Sequence, residues 1–270
     1  MMNDTITKSS CYVKRLLSAA AFILLAQQGY SQQVKPTPQP DLETDRPDQT
    51  EAASVVPARS IQLEAGLYFL KDKIGNATLN YTAYPTALVR FGILDWLEMR
   101  AEGTYQRLVV EDEIRTRANG FGPLTVGTKV QLWKENGFRP QAAAMAMVDL
   151  PVGHKAFKPE DPQLGLRLMF RNSLTEKTDL NYNLAYGWED GEPVIGYAVS
   201  IGRSLNDKMT VYGEVFGDKP NGSKAEHSFD TGLLFLISPT LQVDIAAGTA
   251  LNLQAPDYFI TTGFSLRLPK

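Results

Sequence analysis

GPLTVGTKVQLWKENGFRPQAAAMAMVDLPVG, residues 122–153, contains two segments in which apolar residues alternate with small or polar ones. Leu124 and Leu132 fall on one side of the first segment, and Lys129 falls on the other. Because successive side chains of a β-strand point to opposite faces, this period of two gives one apolar and one polar face. A tight polar turn at residues 134–137 separates the two segments. The stretch therefore predicts an antiparallel hairpin.

The same unit recurs along the chain from residue 61 onward. Each segment is close to the roughly ten residues that a tilted strand needs to cross a bilayer. Pro85 interrupts one segment, where it removes a ladder hydrogen bond and predicts a bulge or local irregularity. We therefore predict an all-β fold, a single antiparallel up-and-down transmembrane β-barrel of about twelve strands. The predicted strands comprise residues 61–69, 79–91, 96–107, 124–132, 138–150, 163–174, 179–188, 194–203, 209–216, 228–237, 241–253 and 258–268.

The connections between these strands alternate in length. Every second connection is short, at residues 92–95, 134–137, 175–177, 206–207 and 238–239. Those between them are longer or more polar, at residues 71–76, 109–119, 154–162, 190–192, 217–226 and 254–257. Outer-membrane barrels have short periplasmic turns at one end and longer loops at the outer end, so the alternation favours such a barrel with both termini in the periplasm.

The two faces of the predicted strands differ in chemistry, since one is almost free of charge and the other carries acids and bases. A water-soluble barrel turns its apolar face inward, whereas a membrane barrel turns it toward lipid and encloses a polar lumen. The alternating loops and a secretory N-terminus favour the membrane form. So do the aromatic residues near strand ends, which are Trp96, Trp133, Tyr186, Trp188, Phe216 and Tyr258. The candidate lumen-lining residues are Glu64, Arg90, Glu98, Arg100, Glu102, Lys129, Asp149, Arg167, Arg171, Glu214, Asp230, Asp244 and Arg267.

These inward-facing candidates include seven acids and six bases. They can pair with one another and fill the barrel, or they can line the path of a permeating solute. A barrel of about twelve strands is narrower than the roughly 16–18-stranded porins that hold open aqueous channels. Pairing is therefore the favoured interpretation.

The first 31 residues have the layout of a secretory signal peptide. Lys14 and Arg15 precede an apolar run at residues 16–26, which is shorter than the roughly 20 residues of a membrane-spanning helix. A membrane anchor is the alternative interpretation. Cleavage after Ser31 would leave 239 residues and change the formal charge from −3 to −5, without a basic patch for nucleic acid. It would also remove Cys11, the only cysteine, and with it any disulfide or thiolate ligand.

Residues 32–59 form a polar leader that precedes the barrel, predicted at residues 60–270. The leader is rich in Pro, Gln, Thr and acidic residues and shows little apolar patterning. One hypothesis places it at the periplasmic mouth as a plug, paired with lumen charges such as Arg100 or Arg167. A solvated tether is an equal alternative, because polar leaders are often disordered. The leader contains a polar motif, and its residues are Thr44, Asp45, Arg46, Pro47 and Glu51.

An outer-membrane lipid hydrolase is the rival class. Such an enzyme needs a nucleophile in contact with a base. The only histidines are His154 and His227, both in or beside predicted outer loops. His227 and Ser228 are neighbours in sequence and would point to opposite faces of a strand. Two histidines without a mature cysteine also supply a zinc site poorly. The chain is therefore predicted not to be an enzyme and to hold no metal or cofactor.

The leader sequence TDRPDQTE, residues 44–51, followed by Val56-Pro57 and by IQLE at residues 61–64, resembles the start of the outer-membrane transporters of the MetA-pathway phenol-degradation family. GPLTVGTK at residues 122–129, LPVG at 150–153 and YGE at 212–214 resemble later strands of that family. The resemblance covers most of the mature chain. It departs at the C-terminus, which ends in Leu-Pro-Lys where outer-membrane barrels commonly end on an aromatic residue.

The resemblance implies a porin-like outer-membrane channel or transporter for small hydrophobic or aromatic compounds. The partners expected from it are outer-membrane lipid, the outer-membrane assembly machinery and a small hydrophobic solute, but not nucleic acid. A structural or adhesion barrel that transports nothing is the alternative.

Overall fold

The computed structural model describes residues 41–189 and 191–268. The predicted signal peptide, the leader up to residue 40 and the C-terminal dipeptide lie outside the described residues. Within those two ranges no helix is long and apolar enough to cross a membrane. The strands are β1 (Ile61–Ile74), β2 (Ala77–Leu94), β3 (Leu97–Glu111), β4 (Thr116–Phe121), β5 (Leu124–Trp133), β6 (Gln141–Leu150), β7 (Gln163–Thr175), β8 (Thr178–Glu189), β9 (Glu192–Asn206), β10 (Met209–Pro220), β11 (Ser228–Ser238), β12 (Leu241–Ala250) and β13 (Tyr258–Leu268).

The strands pair antiparallel with their neighbours in sequence and close into a barrel. The first strand, β1, pairs with both β2 and the last strand, β13, from Ile61 opposite Leu268 to Lys71 opposite Tyr258. Pairing of β2 with β3 completes the ring. A closed ring leaves no exposed sheet edge, so the backbone groups of every strand find partners within the wall.

The segments β4 and β5 act as one strand of this ring. Both pair with β3, β4 along residues 105–110 and β5 along residues 97–102. Gly122 and Pro123 separate them, and a proline cannot donate a ladder hydrogen bond. The barrel therefore has twelve strands, which confirms the predicted fold class.

The outer surface of the barrel is apolar and the interior is polar. Large apolar side chains on alternate positions are exposed, among them Leu168, Ile195 and Ile245. The side chains between them point inward, and Arg90 and Lys129 are completely buried there. A water-soluble barrel would show the reverse arrangement, so the distribution is that of a membrane barrel.

Several predicted strand ends were wrong. The predicted loop at residues 71–76 is strand except for Gly75 and Asn76, and most of the predicted loop at residues 109–119 belongs to β3 and β4. At these places the hairpins carry charged residues beyond the apolar band of the barrel, where both faces meet water. The alternation of connection lengths is correspondingly incomplete. Residues 151–162, 221–227 and 251–257 form long connections at one end of the barrel, but residues 134–140 form one at the other.

The predicted irregularity at Pro85 is a bulge that reverses the faces of β2. Ala83 pairs with Gln106 and Thr86 with Thr104, so Tyr84 and Pro85 together stand opposite one residue of β3. A bulge with one extra residue shifts the alternation by one position. Tyr81 and Ala83 therefore point inward, although an unbroken alternation from Val89 and Phe91 would put them on the outer face.

The apolar exterior can be tested by placing the same charge at two depths of β7. Leu168 lies near the middle of this strand and Leu174 near its end, and both are exposed on the outer face. Arginine on the lipid face of a membrane barrel costs about 2–4 kcal/mol at the midplane and about 0–1 kcal/mol near the interfaces. We expect Leu168→Arg to reduce the heat-modifiable, folded fraction on a mild-detergent gel strongly and Leu174→Arg to reduce it little. Equal folded fractions would contradict the assignment of the outer face.

Candidate functional site

The part of the leader that the structure describes, residues 41–59, is hydrogen-bonded to inward-facing side chains on several sides of the barrel. The backbone N–H of Asp45 donates to Glu64 on β1 at 2.9 Å, and that of Val56 donates to Glu98 on β3 at 2.7 Å. On other strands, the N–H of Glu51 donates to the Asn183 side chain at 2.7 Å, and that of Gln49 donates to Glu214, also at 2.7 Å. The leader has no regular secondary structure, and these wall side chains satisfy backbone groups that would otherwise lack a partner. It is therefore packed into the barrel interior.

Asp45 is the centre of the ion-pair network between leader and wall. Its carboxylate lies 2.6 Å from Arg100, 3.0 Å from Lys129 and 3.2 Å from Arg90. Burial alone would raise the pKa of Asp45, but the charges of Arg90, Lys129 and Arg100 outweigh it and hold the pKa well below its usual range. Asp45 is therefore ionised at neutral pH and attracted by three cations of the wall.

Wall carboxylates complete this network. Arg90 binds Glu98 through Nε and Nη2, each at 3.0 Å, and binds Glu64 through Nη1 at 3.0 Å. Glu98 also lies 3.2 Å from Arg100. Buried charges are tolerated only when they are paired and hydrogen-bonded, as these are.

Glu51 extends the network across the barrel. Its carboxylate lies 3.2 Å from Arg100 on β3 and 3.4 Å from Arg167 on β7. Burial alone would raise the pKa of Glu51, but Arg100 and Arg167 lower it below its usual value. One leader side chain thus links strands that are not neighbours in the barrel.

Arg46 occupies a notch formed by two glycines. Gly66 on β1 pairs with Gly263 on β13, and a side chain at either position would overlap the Arg46 guanidinium. That group donates to Asp244 and to Thr261, each at 3.0 Å. The absence of side chains at the notch lets the guanidinium lie against the wall, so shape as well as charge holds the leader.

The other two motif residues lie beside Arg46. Thr44 donates a hydrogen bond to the Arg46 carbonyl at 2.8 Å and accepts one from Gln242 at 2.9 Å. Pro47 is buried and lines a cavity inside the barrel.

Acids face one another where the leader meets β10 and β11. Burial raises the pKa of Asp48 well above its usual value, and the nearby carboxyl groups of Glu214 and Asp230 raise it further. Thr50 donates a hydrogen bond to Glu214. Charge repulsion at this contact opposes the attraction at Asp45.

The remaining lumen candidates lie in separate places. Arg171 binds Glu43 at 2.6 Å and Asp179 at 3.1 Å, and Arg267 donates to the Asp41 carbonyl at 3.2 Å. Asp149 on β6 accepts a hydrogen bond from Thr125 on β5 at 2.5 Å. Glu102 is exposed to the cavities described next.

Two cavities lie inside the barrel next to the leader. One, of about 480 Å³, is lined by Glu51, Met145, Met147 and other inward-facing residues. The second, of about 570 Å³, has leader residues on one side and aromatic rings on another. Arg100, Glu102 and Arg167 line both cavities. The arrangement provides space inside the barrel that is bordered by both apolar and charged side chains.

Sequence reasoning missed the uncharged residues of the interior. Ala53 of the leader packs in a buried cluster with Ala143, Met145 and Met169 of the wall. These wall residues occupy the same alternate positions as the charged candidates on β6 and β7, so strand periodicity places them on the inner face, although the predicted lumen set contains only charged side chains. Asn183, which binds the leader backbone, was missed for the same reason.

The histidines and acids form neither a catalytic pair nor a metal centre in the described ranges. His227 Nδ1 lies 3.0 Å from the Tyr197 hydroxyl, whereas the neighbouring Ser228 is buried. His154 Nδ1 accepts a hydrogen bond from the Ala156 N–H at 3.2 Å. Among residues 41–189 and 191–268, no group of three or more His, Cys, Asp or Glu side chains is placed to hold a metal ion.

Comparison with known proteins gives a family match and several similar folds. The sequence model of the family described as "Putative MetA-pathway of phenol degradation" matches residues 44–268. No curated protein matches the sequence.

Solved structures with similar folds are membrane barrels. The COG4313 outer membrane channel from Pseudomonas putida F1 has a TM-score of 0.65 at 11% identity, covering 84% of this chain and 100% of that chain. The translocator domain of the autotransporter NalP from Neisseria meningitidis has a TM-score of 0.54 at 8% identity, covering 78% and 89%. The NanC porin has a TM-score of 0.50 at 10% identity, covering 76% and 98%. At such low identity the likeness establishes the shared fold.

Proposed function

This chain belongs to the MetA-pathway phenol-degradation family, and we propose that it is an outer-membrane channel for small hydrophobic or aromatic solutes. The observation that carries the proposal is the free space inside the barrel beside the leader. The cavities of about 480 and 570 Å³ fall in the range of small-molecule sites. Methionine or aromatic side chains in their walls offer apolar contact to a small organic solute, and charged side chains of the leader and the wall surround that contact.

The proposed location is the outer membrane, with both termini in the periplasm. The apolar exterior and the aromatic side chains near strand ends, such as Trp133 and Trp188, suit a lipid environment with interfaces at both ends. Outer-membrane lipid would cover the exterior, and the outer-membrane assembly machinery would insert the barrel after removal of the signal peptide.

The leader acts as the plug in this proposal. Asp45 and Glu51 bind cations of several strands, and Arg46 fits the glycine notch. The plug would divide the periplasmic end of the lumen from the cavities, so solute passage would require the leader to move or the solute to pass beside it. A solvated tether would not need these buried contacts.

A hydrolase is disfavoured by the placement of its candidate residues. His227 contacts the Tyr197 hydroxyl and His154 contacts its own loop, so neither is in position to activate a serine. The lumen side chains are proposed to serve in leader binding and solute passage, without a catalytic role.

The test is single-channel conductance and solute uptake in liposomes, with the mature chain compared with a variant that lacks residues 32–56. The deletion removes no strand, so we expect a heat-modifiable barrel with higher conductance and faster uptake of a small aromatic solute. If the mature chain and the deletion variant both form folded barrels but show neither conductance nor uptake, the channel is refuted and a structural or adhesion role is favoured. Equal conductance of the two, with the leader readily cleaved by added protease, would identify the leader as a tether.

A further inference from the structure

We propose that the 570 Å³ cavity binds aromatic solutes that carry an ammonium group, and that Glu102 selects this charge. The inference rests on the proposed channel function for the route by which the solute reaches the cavity. The proposed function specifies a hydrophobic or aromatic solute but not the polar group that the solute carries, and this inference concerns that polar group.

A row of aromatic rings forms one wall of the cavity. Tyr68 stacks on Phe259 with ring centroids 5.6 Å apart, and Tyr81 packs edge-to-face with Tyr68 with centroids 6.1 Å apart. Phe216 continues the row with its centroid 6.0 Å from that of Phe259. These side chains come from β1, β2, β10 and β13 and all line the same cavity. Such a wall binds aromatic rings by stacking and attracts cations to the ring faces.

The cations that line this cavity are already paired. Arg46 binds Asp244 at 3.0 Å, Arg100 binds Asp45 at 2.6 Å, and Arg167 binds Glu51 at 3.4 Å. An anionic solute would therefore have to displace a carboxylate of the protein to obtain a cationic partner.

Glu102 differs from Asp45, Glu51 and Glu64, the carboxylates lining this cavity that are paired with arginine. It is exposed to both cavities, and no Lys, Arg or His nitrogen of the described chain forms a salt bridge with it within 4.0 Å. A carboxylate in a confined site of low dielectric attracts an ammonium group and repels a carboxylate more strongly than it does in bulk water. The aromatic wall and Glu102 together match the two ends of an arylalkylammonium ion.

The size of the cavity suits a solute with a single ring, since sites of about 300–1,000 Å³ hold small ligands. The expected order of affinity is ammonium first, then a neutral alcohol with the same ring, then a carboxylate. Three probes isolate the head group, because phenethylammonium, 2-phenylethanol and phenylacetate share a phenyl ring on a short chain.

The experiment is isothermal titration of each probe into the full mature chain in detergent micelles, with micelles alone as the blank. We expect phenethylammonium to bind about tenfold more tightly than 2-phenylethanol, and phenylacetate to bind most weakly. Glu102→Gln should reduce the affinity for phenethylammonium to about that for 2-phenylethanol. The matched control Glu113→Gln removes an exposed carboxylate in the turn after β3 and should change nothing.

Phe216→Leu tests the aromatic wall and should weaken both phenethylammonium and 2-phenylethanol. Heat-modifiable migration of every variant establishes that the barrel is folded. Equal binding of the three probes, tighter binding of phenylacetate, or unchanged binding by Glu102→Gln would overturn the proposed site. Liposome uptake separates this inference from the channel function. Uptake of all probes without preference refutes the site alone, whereas binding without any uptake refutes the channel alone.

Discussion

Replacing Asp45 with asparagine will release the leader from the barrel interior and raise conductance. The Asp45 carboxylate is buried and lies within 3.2 Å of Arg90, Arg100 and Lys129. Removing one partner of a buried ion pair costs about 3–5 kcal/mol, because the remaining charges stay buried without compensation. Each 1.4 kcal/mol changes an equilibrium about tenfold, so the ratio of bound to free leader should fall by roughly two to three and a half orders of magnitude.

The measurements are single-channel conductance and cleavage of residues 41–59 by added protease in the folded barrel. Asp48→Asn is the matched control, since it makes the same chemical change three residues away. Asp48 faces the acids Glu214 and Asp230, so its neutralisation removes repulsion and should bind the leader more tightly. Opposite effects of the two substitutions would separate leader binding from general damage to the barrel. If both variants keep the wild-type conductance and protease resistance, the leader does not control the pore.

A reversible crosslink distinguishes leader release from a change in the wall. Ala53 of the leader and Ala143 of β6 pack in one buried cluster, and the predicted mature chain contains no cysteine. A pair of cysteines at these positions, combined with Asp45→Asn, should keep conductance low when oxidised and allow it to rise on reduction. High conductance in the oxidised form would show that the current does not depend on release of this part of the leader.

Asp45 and Asp48 make leader binding respond to pH in opposite directions. The pKa of Asp45 is lower in the bound leader than its ordinary pKa of 3.8. Asp45 therefore contributes to leader binding at pH values above 3.8, and this contribution is lost as the pH falls through the pKa that Asp45 has in the bound leader. The pKa of Asp48 is higher in the bound leader than its ordinary pKa of 3.8. Asp48 therefore contributes to leader binding at pH values below 3.8, and this contribution is lost as the pH rises through the pKa that Asp48 has in the bound leader. Asp48→Asn should therefore weaken the increase in conductance that accompanies rising pH.

Strand periodicity was enough to predict the barrel, because each strand of a closed ring has one apolar and one polar face. Glu98 and Arg100 illustrate this, since their alternation with Leu97 and Met99 predicted the inner face on which they are buried. The bulge at Pro85 shows the limit of the method. Proline predicted an irregularity, but whether the extra residue shifts the alternation depends on how β2 pairs with β1 and β3. Tyr81 thus entered the cavity wall unpredicted.

The contacts of the leader depend on long-range geometry that periodicity does not contain. Asp45 is far in sequence from Arg100 and Lys129, and it meets these side chains of the neighbouring strands β3 and β5 only because the leader folds back into the barrel. Local composition predicted a polar leader and suitable partners for it in the wall. It could not assign Asp45 to a cluster of cations and Asp48 to a cluster of acids, because neighbouring residues of an irregular chain can face opposite walls.

Arg90 is the wall residue whose loss should damage the barrel most. Its guanidinium is buried and binds Glu98 with two nitrogens at 3.0 Å, Glu64 at 3.0 Å and Asp45 at 3.2 Å. Leucine at this position would leave three carboxylates with fewer cations and without the guanidinium hydrogen bonds that now satisfy them in the interior. We expect Arg90→Leu to reduce the folded, heat-modifiable fraction severely, by an amount corresponding to about 3–5 kcal/mol.

Arg167→Leu is the control, because Arg167 also faces the interior but its side chain is 30% exposed and contacts Glu51 at 3.4 Å. Partial exposure lets water replace the lost interaction, so its loss should cost about 1 kcal/mol or less. Arg90→Lys should recover little, since an ammonium group cannot reproduce the fork of the guanidinium that holds Glu98 with two nitrogens. Comparable folded fractions for Arg90→Leu and Arg167→Leu would mean that the buried network contributes no more to assembly than the partly exposed pair of Arg167 and Glu51. The leader would then be held chiefly by its backbone hydrogen bonds and by the glycine notch at Arg46.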